Sequence, residues 1–556
     1  MLGLIFEKIN GYKDGSFFTP GFITEYMARE TLRKSVLDKF NEAFDWDCAE
    51  FDELKRKMES VDLKKANKVV NSITICDPAV GSGHFLVSSL NELIAIKSEL
   101  KILCDHEGKR IPYLDIEVEN DELAIEHEGE LFEYKLNHEW KNGKVTRKPA
   151  GSDRQRVQVA LFHEKKFLIE NCLFGVDINP NSVKICRLRL WIELLKNAYY
   201  RSDEDFSELE VLPNIDINIK QGNSLVSRFG LDEDLSAIFK KSDHSLEDYK
   251  QAVRSYRETR DRGEKQRLQQ LIDDIKAEYS ESLINNKPIN KKISKARGQL
   301  ELMQNEDLFG EGKATKKDLK KQEKKVAKLE EQKAEEEAGA FYREAFEWRF
   351  EFPEVLDEEG NYTGFDVVIG NPPYLRSRGK FTKDEKRYYT SKYEFSVYQV
   401  DLYKLFIELS LSLAKNVSAI SLITPSVFLV NDYDKKLREE LILNNSLEEI
   451  IYSKDEIFDV PTVKACVFTL RKGQKSKAIR LRIIVNKLFD TLENLEIRYL
   501  NDELVINEDI RNSELKILRK LNSNYVFEDI FDVKNGIKIR KDLVNDEPKG
   551  VNPKKF

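Results

Sequence analysis

The chain of 556 residues has no run of about 20 apolar residues, the length a helix needs to cross a bilayer. A membrane-spanning helix is therefore not expected. Cysteine is scarce, with six residues at 48, 76, 104, 172, 186 and 466. No two have metal-ligand spacing and several lie in apolar runs, so reduced core thiols are expected rather than a disulfide frame or a zinc site. The six histidines form no cluster. Met1 to Asn10 is amphipathic and contains Glu7, which argues against a secretory leader and for a cytoplasmic address. Neither phosphate-loop signature is complete: no Gly-Lys-Ser/Thr occurs at a glycine turn, and the dinucleotide fingerprint lacks its third glycine.

What is present begins with Asp366-Val367-Val368-Ile369-Gly370-Asn371-Pro372-Pro373-Tyr374. Asp366 to Ile369 has the β-branched apolar pattern of a short buried strand, and Gly370 breaks it. The paired prolines fix φ and force an extended turn, which holds the Asn371 side chain and the Pro372 carbonyl in a set geometry. Two acceptors side by side suit a planar amino group, whose two hydrogens need two partners. Tyr374 adds a flat face on which a planar ring can stack. The plainer alternative is a Pro-Pro loop after a core strand.

A second strand, Ile73 to Cys76, leads into Asp77-Pro78-Ala79-Val80-Gly81-Ser82-Gly83-His84-Phe85-Leu86. Gly81 and Gly83 permit a tight strand-to-helix turn and close approach of a ligand. A third strand from Leu173 ends at Asp177, a carboxylate able to take both hydroxyls of a ribose. Asn218 to Leu225 reads as a strand and turn presenting the Asn223 amide, suited to an adenine edge. Upstream, Thr19 is expected to cap a helix from Gly21 to Leu32, with Pro20 at its first position. Taken singly, these are equally a helix cap, a surface acid and a turn amide. Their common order is what argues against accident.

In that order the sequence resembles the gamma-class amino-methyltransferases of DNA. In them a Thr-Pro segment precedes the cofactor loop, Asn-Pro-Pro-Tyr follows, and the target-recognition domain comes last. Glu347-Trp348 to Tyr374 is similar to the methylase part of type IIG restriction–modification enzymes, and the resemblance covers about residues 1 to 475. It implies an α/β fold: the Rossmann-like sheet of class I S-adenosylmethionine-dependent methyltransferases, with helical insertions. The implied donor is S-adenosylmethionine, and the implied acceptor is the 6-amino group of an adenine flipped from double-stranded DNA. Thr19, Asp77, Ala79, Gly81, Gly83, Phe85, Asp177, Asn223 and Asn371 are the implied cofactor-binding residues. Asn371, Pro372 and Tyr374 are the implied catalytic residues. Phe458 joins them because Ile457 to Val463 resembles the family segment whose aromatic packs on the flipped base. No metal is implied. Cytosine amino-methyltransferases more often show Ser in place of Asn371, which favours adenine.

The net charge of −8 is a poor guide to DNA binding, because local patches decide it. Arg376, Arg378, Lys380, Lys383, Lys386, Arg387 and Lys392 follow the Asn-Pro-Pro-Tyr turn, interleaved with Tyr388, Tyr389, Tyr393, Phe395 and Tyr398. This reads as a basic loop with aromatics, suited to a strand with a displaced base. A solvated loop is the alternative.

These anchors divide the chain. Residues 1–70 read as a helical segment carrying the Thr-Pro motif, and 71–242 as the cofactor-binding half with a charged insertion at 104–160. Residues 243–345 read as a charged helical insertion, with Lys316 to Ala338 strongly helical; it is either a clamp or a surface elaboration. Residues 346–475 form the catalytic half, with a helix over Asp401–Lys415 and strands over Ala419–Thr424 and Ala465–Leu470. Residues 476–556 read as a linker and the start of a truncated recognition domain, from the resemblance of Phe527 to Ile537. No Pro-Asp…Glu-x-Lys nuclease signature precedes the methylase, so a nuclease or specificity domain or subunit is an expected partner. Rival readings are a protein glutamine methyltransferase, an RNA adenine methyltransferase, and a non-catalytic methylase-fold subunit. The large insertions and Thr19-Pro20 weigh against the first, and the unbroken motif positions against the last.

Overall fold

The computed structural model describes residues 19–141, 144–202, 206, 208–233, 242–259, 261–286, 288–309, 316–337, 345–374, 381–395, 400–453, 464–485, 488–497, 500, 504–506, 531–532 and 538–539. Short β-branched runs build its centre. Ile75–Asp77 (β1), Leu173–Asp177 (β2), Ile219–Gln221 (β3), Phe365–Gly370 (β4), Ala414–Pro425 (β5), Ser446–Ser453 (β6), Ala465–Arg471 (β7), Ala478–Val485 (β8) and Leu488–Glu496 (β9) form one nine-stranded sheet. Its order is β9-β8-β6-β7-β5-β4-β1-β2-β3. Strands β1 to β5 are parallel, whereas β7 runs antiparallel to both β5 and β6. This is the α/β sheet expected from the sequence. The order reverses between β1 and β4, and ligands of such sheets bind outside the carboxyl ends of the strands at that switch point. Cys76 pairs with Val368 and Asp77 with Gly175, so Asp77, Asp177 and Gly370 emerge along one edge.

Buried apolar side chains cover both faces of the sheet. Helix α1 (Gly21–Phe44) packs across β4 and β5 and against α2 (His84–Glu99). It runs well past Leu32, because Ser35, Val36 and Phe40 continue its buried face. Thr19 does not cap it. Pro20 occupies the cap position and no side chain closes the first turn. Helices α3 (Ser152–Asn171) and α4 (Pro180–Leu195) flank β2.

Within 104–160, strands Leu114–Glu119, Glu122–His127 and Glu130–Leu131 pair, and Leu136–Lys141 pairs with Lys144–Pro149. The Asp121 turn is tied down on α2. Ser88 donates to its carboxylate at 2.5 Å and Asn91 to its carbonyl at 2.9 Å. Within 243–345 lie α5 (Leu246–Glu258), α6 (Arg262–Asn286), α7 (Pro288–Phe309) and α8 (Lys316–Glu337). Helices α5 and α6 share a small core with Phe229 and Phe350, while α7 and α8 pair with each other.

Residues 476–497, expected as linker, extend the sheet as β8 and β9. Ile479, Leu481 and Ile484 are buried. The arginines between them obscure the apolar alternation, but Arg482 lies 5.2 Å over the Tyr26 ring and Tyr26 stacks on Phe489 at 4.0 Å. Among the described residues no helix is long and apolar enough to cross a membrane.

Candidate active site

At the switch point lies a cavity of about 340 Å³, within the range of roughly 300–1,000 Å³ usual for small-molecule sites. Thr19, Asp77, Ala79, Gly81, Phe85, Asp177, Asn223 and Asn371 all line it. Residues up to 352 positions apart are thus collected by the ends of four parallel strands and the start of α1.

The Asp77 carboxyl leaves β1 and folds back, Oδ1 accepting from the Ala79 N–H at 3.0 Å. Oδ2 is buried and has no hydrogen-bond partner among the described residues. Burial raises this carboxyl from 3.8 to about 8, opposed by the Ala79 N–H and reinforced by the Asp177 charge. Gly370 makes the arrangement possible, because a Cβ there would lie 2.6 Å from Asp77 Oδ1.

Asp177 closes the opposite side. Its Oδ2 accepts from the Gly81 N–H at 2.9 Å and its Oδ1 from the Asn179 N–H at 2.7 Å. Each carboxylate oxygen can accept more than one hydrogen bond, so a diol remains within its capacity. The turn bearing Asn223 is fastened to the loop after β1 by Ser224, whose hydroxyl donates to the Pro78 carbonyl at 2.6 Å.

Gly83 does not line the cavity; at φ +82° it caps the start of α2, and a Cβ there would lie 2.5 Å from Cys186 Sγ on α4. Its smallness serves helix packing.

Asn371 sits just past β4, and its Nδ2 donates to Thr19 Oγ1 at 3.1 Å. Pro373 lines the cavity and Pro372 does not; Pro372 is buried. Tyr374 also lies outside the lining. Its ring is half-buried against the cores on both sides of the sheet, and burial, with Cys466 nearby, pushes its hydroxyl well above the ordinary tyrosine value.

Part of the expected basic loop is a helix, α9 (Lys383–Lys392), started by a reciprocal Thr382–Glu385 capping box. Lys383, Lys386, Arg387 and Lys392 are exposed on it. Its tyrosines turn inward, against the expectation of free stacking faces: Tyr389 and Tyr393 are buried. Phe381, Glu385 and Tyr389 line the cavity, as do Leu402 and Phe406 of α10 (Leu402–Leu413). Leu402 and Phe406 lie on the helix expected over Asp401–Lys415, whereas the spacing of four from Phe381 through Glu385 to Tyr389 is masked by the surrounding charge. His84 is a further lining residue not singled out beforehand. Burial, then the Arg189 charge, holds its imidazole well below its ordinary value, so it is neutral. Arg376, Arg378, Lys380 and Phe458 lie outside the described residues.

A switch-point cavity with two strand-end carboxylates, a turn amide and an Asn-Pro-Pro-Tyr turn has the layout of a class I methyltransferase site. The chain belongs to the Eco57I restriction-modification methylase family, which matches residues 171–458. The DNA-methyltransferase domain of MmeI matches residues 51–249. RM.MjaORFECS2P of Methanocaldococcus jannaschii, provisionally named a type II restriction enzyme and methyltransferase, is 27% identical over 534 residues, covering 85% of this chain and 37% of that protein. The type II restriction enzyme and methyltransferase RM.Eco57I of Escherichia coli is 36% identical over 111 residues, covering 19% of this chain and 11% of that protein. The chain therefore spans little more than a third of the first of these relatives. A DNA complex of the type IIL enzyme MmeI superposes with TM-score 0.41 at 12% identity, covering 91% of this chain and 44% of that one.

Proposed function

We propose that this chain is the methylase part of a restriction–modification enzyme, transferring a methyl group from S-adenosylmethionine to the 6-amino group of a flipped adenine in DNA. The observation that carries the reading is that Asn371 of the Asn-Pro-Pro-Tyr turn lines the same cavity as Asp77, Asp177 and Asn223.

The residues fit such a donor. A cationic ligand suits a cavity with two carboxyl groups, and it would draw Asp77, whose buried Oδ2 has no hydrogen-bond partner among the described residues, into its ionised, accepting form. Asp177 would accept the ribose hydroxyls and the Asn223 amide would meet the adenine edge. Thr19, Ala79, Gly81 and Phe85 would complete the enclosure. The bound donor supplies a methyl group on a positively charged sulfur.

Adenine must leave the duplex, because its amino group is otherwise paired and stacked. Asn371 Oδ1 and the Pro372 carbonyl would accept its two amino hydrogens and turn the nitrogen lone pair toward the cavity. No strong base is needed, since the nitrogen sheds its proton after it has become cationic. Catalysis is then mainly positioning, with hydrogen bonds that strengthen as charge develops. Tyr374 would stack the base after its half-buried ring is uncovered, with Phe458 as the second stacking candidate. The cationic side chains Arg376, Arg378, Lys380, Lys383 and Arg387 would attract phosphate.

On this reading the protein works in a bacterial-type cytoplasm, on the nucleoid when acting, with a nuclease or specificity domain or subunit as partner. The test is incubation with labelled donor and duplex DNA followed by digestion to nucleosides. Label in N6-methyl-2′-deoxyadenosine is the expected result; label confined to deoxycytidine, RNA or protein would sink it.

A further inference from the structure

Helix α9 faces two ways. Lys383, Lys386 and Arg387 point to solvent, while three tyrosines clasp the turn that carries Asn223. The Tyr388 hydroxyl accepts from the Ser227 N–H at 3.0 Å and donates to the Ser227 carbonyl at 2.9 Å. The Tyr393 hydroxyl donates to the Leu225 carbonyl at 2.7 Å. Tyr389, 3% exposed, lines the cavity beside Asn223 and shares a side-chain hydrogen bond with it. Asn223 Oδ1 also accepts from the Leu225 N–H at 3.2 Å.

A carboxamide has two donors and two acceptor sites. The contacts to Tyr389 and Leu225 fix which end is nitrogen, and they leave a donor and an acceptor side by side. That is the pattern with which an asparagine reads adenine. Without the Tyr389 hydroxyl only the Leu225 N–H, among the described residues, still holds the carboxamide, which is then freer to tilt away from the geometry of the match.

We infer that Tyr389 is a positioning residue for the adenosyl end of the donor, acting through Asn223, and that its place on the basic helix couples cofactor binding to DNA binding. The inference rests on the reading of the cavity given under Proposed function. Phosphates held by Lys383, Lys386 and Arg387 would steady α9, and with it Tyr389 and the Asn223 amide. By linkage, each ligand would then tighten the other by the same factor.

The experiment is calorimetric titration of S-adenosylhomocysteine into the full chain, with and without a long mixed-sequence duplex at low salt. Wild type should bind, and the duplex should tighten binding by at least about fivefold. Tyr389→Phe should weaken binding about three- to tenfold and abolish the gain from DNA. Tyr393→Phe is the control, since it loosens the same helix without touching Asn223; it should keep cofactor affinity near wild type. Combining Tyr389→Phe with Asn223→Ala should be strongly non-additive, which a merely structural role would not produce. Wild-type affinity in Tyr389→Phe, equal losses in Tyr393→Phe, additivity with Asn223→Ala, or no effect of duplex on the wild type would each overturn the inference. Failure of S-adenosylhomocysteine to bind wild type at all would overturn the cavity reading and this inference together.

Discussion

The Asn371 amide nitrogen donates to the Thr19 hydroxyl at 3.1 Å, across 352 positions of sequence. The hydrogen bond orients the carboxamide, turning Nδ2 toward Thr19 and Oδ1 away from it. Thr19 itself is 4% exposed, so its hydroxyl is shielded from bulk water. On the proposed reading the N-terminal Thr-Pro segment would serve the transfer step as well as the wall of the cavity.

Asn371→Ala should lower kcat by about 10²–10³, the cost of removing one acceptor that acts in the transition state, with little change in donor affinity. Thr19→Val in that background should add little further loss in kcat, because its partner is already gone. Single-turnover kinetics on the two single variants and the double variant check this. Full additivity would mean that Thr19 does not act through Asn371.

Asp177→Ala should weaken donor binding, but the protein should also lose stability, by about 1–3 kcal/mol for unpaired backbone donors. From sequence alone the fold would be expected to tolerate the change. The structure revises this, because Asp177 holds the Gly81 and Asn179 N–H groups. Urea unfolding with and without donor separates the two effects, and an unchanged midpoint would show that the loop does not depend on this carboxylate.

Asp77 gives the site a pH dependence. Its carboxyl is raised from 3.8 to about 8 in the fold, so between these values the folded state holds a proton that the unfolded chain has lost. Its contribution to stability is therefore full below about pH 4, falls as pH rises, and is gone above pH 8. A cationic donor favours the ionised form, so binding below pH 8 should release a proton and apparent affinity should climb from pH 6 to 8. Calorimetry in buffers of different ionisation enthalpy counts that proton. Asp77→Asn should abolish the release and reduce the fall in melting temperature, leaving the share due to Asp121 and Glu170, raised to about 6 and about 7 mainly by burial. Equal proton release in wild type and Asp77→Asn would exonerate the residue.

Gly83→Ala should destabilise the protein by about 1–3 kcal/mol, from left-handed strain together with overpacking. The added methyl meets Cys186 Sγ at 2.5 Å. Adding Cys186→Ala should recover only part of the loss, since it relieves the clash but not the strain. Complete recovery, read from melting curves, would place the whole cost in packing.

Replacing Lys383, Lys386 and Arg387 together by Glu should weaken DNA binding and flatten its salt dependence by about 0.9 for each phosphate no longer neutralised. These side chains are exposed on a capped helix, so the melting temperature should hardly move. An unchanged salt slope would locate the phosphate-binding surface elsewhere.

The motifs at the strand ends were readable in the sequence because they are local. A β-branched run, a glycine and a polar residue at its end carry their own strand, turn and exposed group. Hence Asp77, Asp177, Asn223 and Asn371 were found, along with the α/β class. What each of these residues touches is not local. The Asn-Pro-Pro-Tyr turn says nothing of Thr19 as a partner, and Gly83 reads as a ligand turn until Cys186 is seen against it. The tyrosines of α9 looked like solvent-facing stackers because the lysines and arginines between them dominate the pattern. Only packing against the 222–229 segment decides which side of that helix is inside. Likewise β8 became a strand rather than a linker because Tyr26 and Phe489 cover Arg482. Periodicity records which residues share a face, and the tertiary structure alone decides what that face meets.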